Sequence, residues 1–212
     1  MIIRERDRAV RLEQEGPASP RPAVRSLAKL ITDVLAPAYL LTVMLLAVGW
    51  HSGHGAGLAW AAGAAAGAVG VPMTVVVLGV RAGRFTDVHV RIRRQRAIPL
   101  ATAIACAVLS VVVLALLGAP RELTALVVAI LSGLTVGGLV TIWWKVSGHT
   151  AAVGAAGAIL TAVYGAPMVP LLFAVIAVGW SRVVLRDHTV AQTVVGFLIG
   201  SSVALAIFLP LR

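Results

Sequence analysis

Apolar runs at about 27–50, 57–80, 98–118, 122–144, 149–165, 167–185 and 189–211 recur along this chain with only short polar breaks between them. A bilayer core about 30 Å thick takes about 20 apolar residues in one helix. Runs of that length predict an all-α fold, a polytopic membrane bundle of six to seven transmembrane helices. The fifth run is short and rich in Ala and Gly, and Gly165-Ala166-Pro167 turns it into the sixth, so the two read as one helical hairpin. Composition agrees: 59% of 212 residues are hydrophobic and the mean hydropathy is +0.97, against roughly 45–50% apolar residues in soluble domains.

The charges refine this picture. Residues 1–26 form a basic arm with Pro17, Pro20 and Pro22, read as a cytoplasmic tail ahead of a membrane-embedded domain at 27–212, with no cleavable signal peptide. A net charge of +10 would suggest nucleic acid in a soluble protein. Here the basic residues cluster at the ends of apolar runs, where anionic lipid headgroups and topology account for them, and no nucleic-acid partner is expected. If every run crosses, all but Arg121 and Arg212 of the 18 Lys and Arg residues fall on the N-terminal side. By the positive-inside rule that side faces the cytoplasm, which predicts a multi-pass protein of the cell membrane.

The single cysteine, Cys106, lies inside an apolar run and offers neither a disulfide nor a thiolate metal site. Gly63-x3-Gly67, Gly133-x3-Gly137 and Gly196-x3-Gly200 read as faces for close helix packing, with a homo-oligomer seam as the second reading. Trp50, Trp143, Trp144 and Trp180 near the run ends suit an interfacial belt. His51 and His54 fall in a Gly-rich turn on the opposite side and read as solvated.

Chemistry concentrates in two clusters on the N-terminal side. Lys145-Val146-Ser147-Gly148-His149-Thr150 and Ser181-Arg182 with His188 set two histidines and an arginine beside apolar segments. Ser147 and Gly148 offer backbone N–H donors, Arg182 a fork for phosphate oxygens, and the histidines a proton donor and a nucleophile. That combination suits phosphoryl transfer. Ser-Gly-His followed by Ser-Arg-x5-His resembles, in order and spacing, the second and third signatures of the type 2 phosphatidic acid phosphatase (PAP2) family. The resemblance implies that His188 attacks phosphorus to give a phosphohistidine, that His149 protonates the leaving alcohol, and that Ser147, Gly148 and Arg182 hold the phosphoryl group. It also implies a membrane lipid phosphate or isoprenyl (di)phosphate as substrate, and hydrolysis with neither metal nor cofactor.

Two departures accompany the resemblance. The family's first signature, Lys followed six residues later by Arg-Pro, is replaced by the stretch from Asp87 to Pro99. Arg93 and Arg96, three apart and followed by Pro99, are the expected counterpart, with Arg91 and Arg94 as the other pair. Four residues after His188 the family has Asp, and this chain has Gln192. One helical turn away, the Gln192 amide oxygen can accept the imidazole N–H, without the charge of a carboxylate. These departures keep a weakly active or silent lipid-binding protein as a rival reading. A small transporter is another, for which Asp33 is the one intramembrane charge.

Overall fold

The computed structural model describes residues 21–212, so most of the basic arm lies outside the described residues. Among the described residues there is no strand. The helices are α1 (Pro22–Val34), α2 (Pro37–Ala65), α3 (Val71–Arg81), α4 (Ala97–Leu116), α5 (Arg121–Trp143), α6 (Gly148–Tyr164), α7 (Leu172–Val184) and α8 (Val190–Leu211). A π turn at Ala66–Gly70 joins α2 to α3, and 3₁₀ turns at Arg93–Arg96 and Ala166–Leu171 lead into α4 and α7. Among the described residues, five stretches are long and apolar enough to cross a membrane, and α6 is a shorter apolar helix. This is the helical membrane bundle that the apolar runs predict.

The first run is corrected. It does not form one helix over 27–50: the chain breaks at Leu35–Ala36, and Pro37 opens a new helix. Proline is favoured at a helix start and disfavours helix in the residue before it, so the break falls where the sequence requires. The separate α1 is amphipathic. Ala28 and Thr32 are buried on one side, while Arg25, Lys29, Leu27 and Leu30 are exposed. Its buried face meets α7, where the Thr32 and Ser181 hydroxyls are hydrogen-bonded at 3.0 Å.

Helix α2 is itself a hairpin. Gly53 and His54 leave helical geometry, with His54 at φ 47°, and the chain reverses so that Gly49 lies against Gly57 and Ala61. In a straight helix at 1.5 Å per residue, Gly49 and Ala61 would stand about 18 Å apart. His51 and His54 therefore sit at a helical reversal. His51 approaches Glu122 at 3.9 Å and stacks edge-on against Tyr164 at 5.3 Å.

Those contacts mark one end of the bundle. Arg121 and Arg212 lie there too, donating to the carbonyls of Leu211 and Ala162, each at 2.9 Å. The other end gathers α1, the 82–96 loop, the start of α6, the end of α7 and the start of α8. Helices α6 and α8 run parallel: Gly196 seats against Ser147 and Gly200 against Ala151, the same register one turn further on. Gly196-x3-Gly200 thus serves close packing, as read from the sequence. Gly133 and Gly137 do not, since a Cβ at either would meet nothing within 4 Å and both border a cavity.

Candidate active site

Backbone hydrogen bonds tie the two clusters together. The Ser147 N–H donates to the Gln192 carbonyl at 3.3 Å, joining the start of α6 to the first turn of α8. Ser147 also caps α6, its Oγ accepting from the Thr150 N–H at 3.4 Å. Being fully buried and doubly engaged, Ser147 positions the helix rather than facing open space. Gly148 and His149 occupy the first helical positions, where backbone N–H groups lack partners within the helix and favour an anion. Both border the cavity.

The second cluster is built on a turn. The N–H groups of Asp187 and His188 donate to the Arg182 carbonyl at 3.0 and 3.2 Å, closing α7 and folding the chain back toward α8. Thr189 then caps α8 in a reciprocal arrangement: its Oγ1 accepts from the Gln192 N–H, while Gln192 Oε1 accepts from the Thr189 N–H at 3.2 Å. The same Oε1 lies 3.1 Å from His188 Nδ1. An amide oxygen only accepts, so Nδ1 carries the proton and the Nε2 lone pair is left for chemistry.

Burial, then the cations Lys145, Arg182 and Arg96, lower the His188 pKa to about 3, against a smaller opposing effect of the Gln192 bond. The imidazole is therefore neutral at ordinary pH, as a nucleophile must be. Lys145, whose Nζ donates to the Asp187 carbonyl at 2.6 Å, has its own pKa lowered by burial and by Arg96.

Arg182 is almost wholly buried, at 1% exposure. Its Nη2 pairs with Asp187 Oδ2 at 2.9 Å, while Nε and Nη1 have no hydrogen-bond partner. A buried guanidinium with two unused donors is costly unless an acceptor arrives to meet them. A phosphoryl group has such acceptors in the matching planar spacing.

The arginines of the 82–96 loop divide their roles. Arg96 donates through Nε to the Val90 carbonyl at 2.9 Å and through Nη1 to the Val146 carbonyl at 3.3 Å, and it borders the cavity. Arg93 reaches the same α5–α6 connection from the exposed side, donating to the Trp143 carbonyl at 3.3 Å. Arg91, from the pair the spacing left second, lies 3.5 Å from Asp187 Oδ1 and borders the cavity. Arg91 and Arg96, rather than Arg93 and Arg96, are thus the loop arginines brought to the site. Sequence spacing missed this because Val90, immediately before Arg91, takes the left-handed conformation, at φ 46°, and redirects the chain as it enters this stretch. It missed His89 as well, which stacks against His149.

The cavity beside these residues has a volume of about 1040 Å³. Its polar end holds His149, His188, Arg91 and Arg96, and its body is apolar, with Met44, Met73, Leu100, Leu126, Ile130 and Leu134 among its walls. No group of His, Cys, Asp and Glu among the described residues is arranged to hold a metal ion.

Comparison with known families agrees with the motif reading. Residues 140–210 match the PAP2 superfamily, a stretch running from the end of α5 through both histidine clusters to the end of α8. No curated protein and no solved structure matches the chain.

Proposed function

We propose that the protein is a membrane lipid phosphatase acting on a lipid phosphate or isoprenyl (di)phosphate, since residues 140–210 match the PAP2 superfamily, whose members generally hydrolyse phosphate esters. The observation that carries this reading is the buried Arg182, with two unpartnered donors, next to a neutral His188 whose Nδ1 is held by Gln192. A phosphate dianion would supply acceptors for the two Arg182 donors that Asp187 leaves unused. The adjoining cavity, about 1040 Å³ and walled largely by apolar residues, has room for a lipid tail, which would enter from the bilayer.

The proposed steps give each of these residues the role that the family resemblance implies. His188 Nε2 donates its lone pair to phosphorus, the P–O bond to the lipid breaks, and the departing oxygen takes a proton from His149. Water then attacks the phosphohistidine, giving a proton back to His149 as the N–P bond breaks and phosphate leaves. Arg182, with Arg91, Arg96 and the N–H groups of Gly148 and His149, stabilises charge on the transferred oxygens throughout. Gln192 keeps the His188 ring aimed.

The test is phosphate release from a panel of lipid phosphates and diphosphates by the purified protein in detergent with EDTA. Turnover that survives EDTA and disappears in His188→Ala is the expected result. Absence of release across the panel, or activity that EDTA abolishes, would contradict the proposal.

A further inference from the structure

Asp33 and His89 have no part in the steps above, and both lie outside residues 140–210. Both nevertheless border the polar end of the cavity. His89 Nε2 stands 3.0 Å from Asp33 Oδ1, and a carboxylate can only accept, so Nε2 carries a proton. The His89 backbone N–H donates to Asp87 Oδ1 at 2.9 Å, fixing the residue from its other side. Its ring packs against that of His149, with centroids 5.2 Å apart and planes at 60°. His149 is 6% exposed, and its Nε2 has no hydrogen-bond partner.

We propose that Asp33 and His89 form a positioning dyad for His149, through which α1 becomes part of the phosphatase apparatus. The inference rests on the reading of His149 as the general acid. An acid at that place must hold its proton against burial first and then against Arg182, His89, His188 and Arg96, which act on it from α7, from the loop and from the turn before α8. Asp87 faces Arg91, and Asp187 faces both Arg91 and Arg182. Asp33 is joined instead to His89, so its carboxylate lies one imidazole away from the His149 ring. The stacking holds that ring at one angle, leaving Nε2 as the atom without a protein partner. The Thr32–Ser181 bond, one residue from Asp33 and one from Arg182, keeps α1 seated beside the site.

A leaving-group comparison tests the dyad. Departure of an alkoxide needs a proton, whereas departure of p-nitrophenolate hardly does, so kcat/KM for octyl phosphate and for p-nitrophenyl phosphate should separate in a variant with a weakened acid. In His89→Ala and Asp33→Asn, the octyl phosphate value should fall at least about tenfold further than the p-nitrophenyl phosphate value. His89→Phe, which keeps a ring but no N–H, should behave as His89→Ala does. Equal losses on the two substrates, no loss on either, or full recovery in His89→Phe would overturn the dyad while leaving the phosphatase reading intact. A wild-type protein inactive on both substrates would overturn the two together.

Discussion

Arg182 stands at the centre of the residue-scale account, because two of its donors are buried without a partner. Lysine cannot offer two parallel N–H groups to one phosphate. Charge-assisted hydrogen bonds are worth about 1.5–3 kcal/mol each, so Arg182→Lys should lose tenfold or well beyond in kcat/KM, measured on any accepted phosphate ester. A second prediction concerns His188. With its pKa lowered to about 3, the neutral nucleophile persists as pH falls through the ordinary histidine range, and protonation removes it only near pH 3. Lys145→Met removes one of the cations responsible. The acid limb of kcat/KM should then move to higher pH, remaining below 6.5 because burial, the larger cause, is unchanged; a limb that stays in place would contradict this origin. Gln192 gives a third. Gln192→Ala should reduce activity by freeing the His188 ring, and Gln192→Glu should preserve or raise it by supplying the charge an imidazolium favours; indifference to both changes would mean that the 3.1 Å contact has no role. Spacing made Arg182, His188, His149 and Gln192 legible in the sequence, because they belong to helix ends whose geometry is local. Arg91 was left second to Arg93 because a positive φ at Val90 redirects the loop, and no side-chain pattern announces that for a β-branched residue.

Among the elements, the parallel pair α6 and α8 does most to assemble the site. Gly196 and Gly200 let α8 approach the first turns of α6, and a Cβ at Gly196 would stand 2.5 Å from the Ser147 carbonyl oxygen and from Thr150 Oγ1. Those groups hold the α6 cap and have little room to yield. Gly196→Ala should therefore destabilise the bundle by about 1–3 kcal/mol and lower turnover as the cap shifts, read by thermal unfolding in detergent alongside activity. Gly137 predicts the opposite kind of effect. Its missing side chain opens onto the cavity, so Gly137→Leu should leave stability nearly unchanged while raising KM for a long-tailed lipid phosphate more than for a short-chain one. The glycine spacings looked alike in sequence, and only the packing separates a helix seam from a cavity wall. Helix α1 was hidden for a similar reason: its apolar residues run directly into those of α2, and the two divide at Pro37.

At the scale of the whole molecule, the bundle has two unlike ends. The alternation of apolar runs placed both histidine clusters and the 82–96 loop on one side from sequence alone, and the structure gathers them at one end, with Arg121 and Arg212 at the other. That much was legible because a run long enough to cross a membrane fixes the side on which the next loop emerges. The structure also adds Asp33 and His89, which come together across 56 positions of sequence and which no local spacing could join. The charge distribution predicts that the site end faces the cytoplasm. In a Cys106→Ala background, Arg84→Cys should resist an impermeant thiol reagent in intact cells and Arg212→Cys should react; the reverse pattern would place the site on the outer side. Whichever way the bundle faces, the chemistry proposed for it turns on one bond, between phosphorus and His188 Nε2. Rapid quenching of the protein with a ³²P-labelled lipid phosphate, followed by peptide mapping under alkaline conditions, should find acid-labile label on His188 and none in His188→Ala; turnover with no labelled intermediate, or label on another residue, would contradict the account.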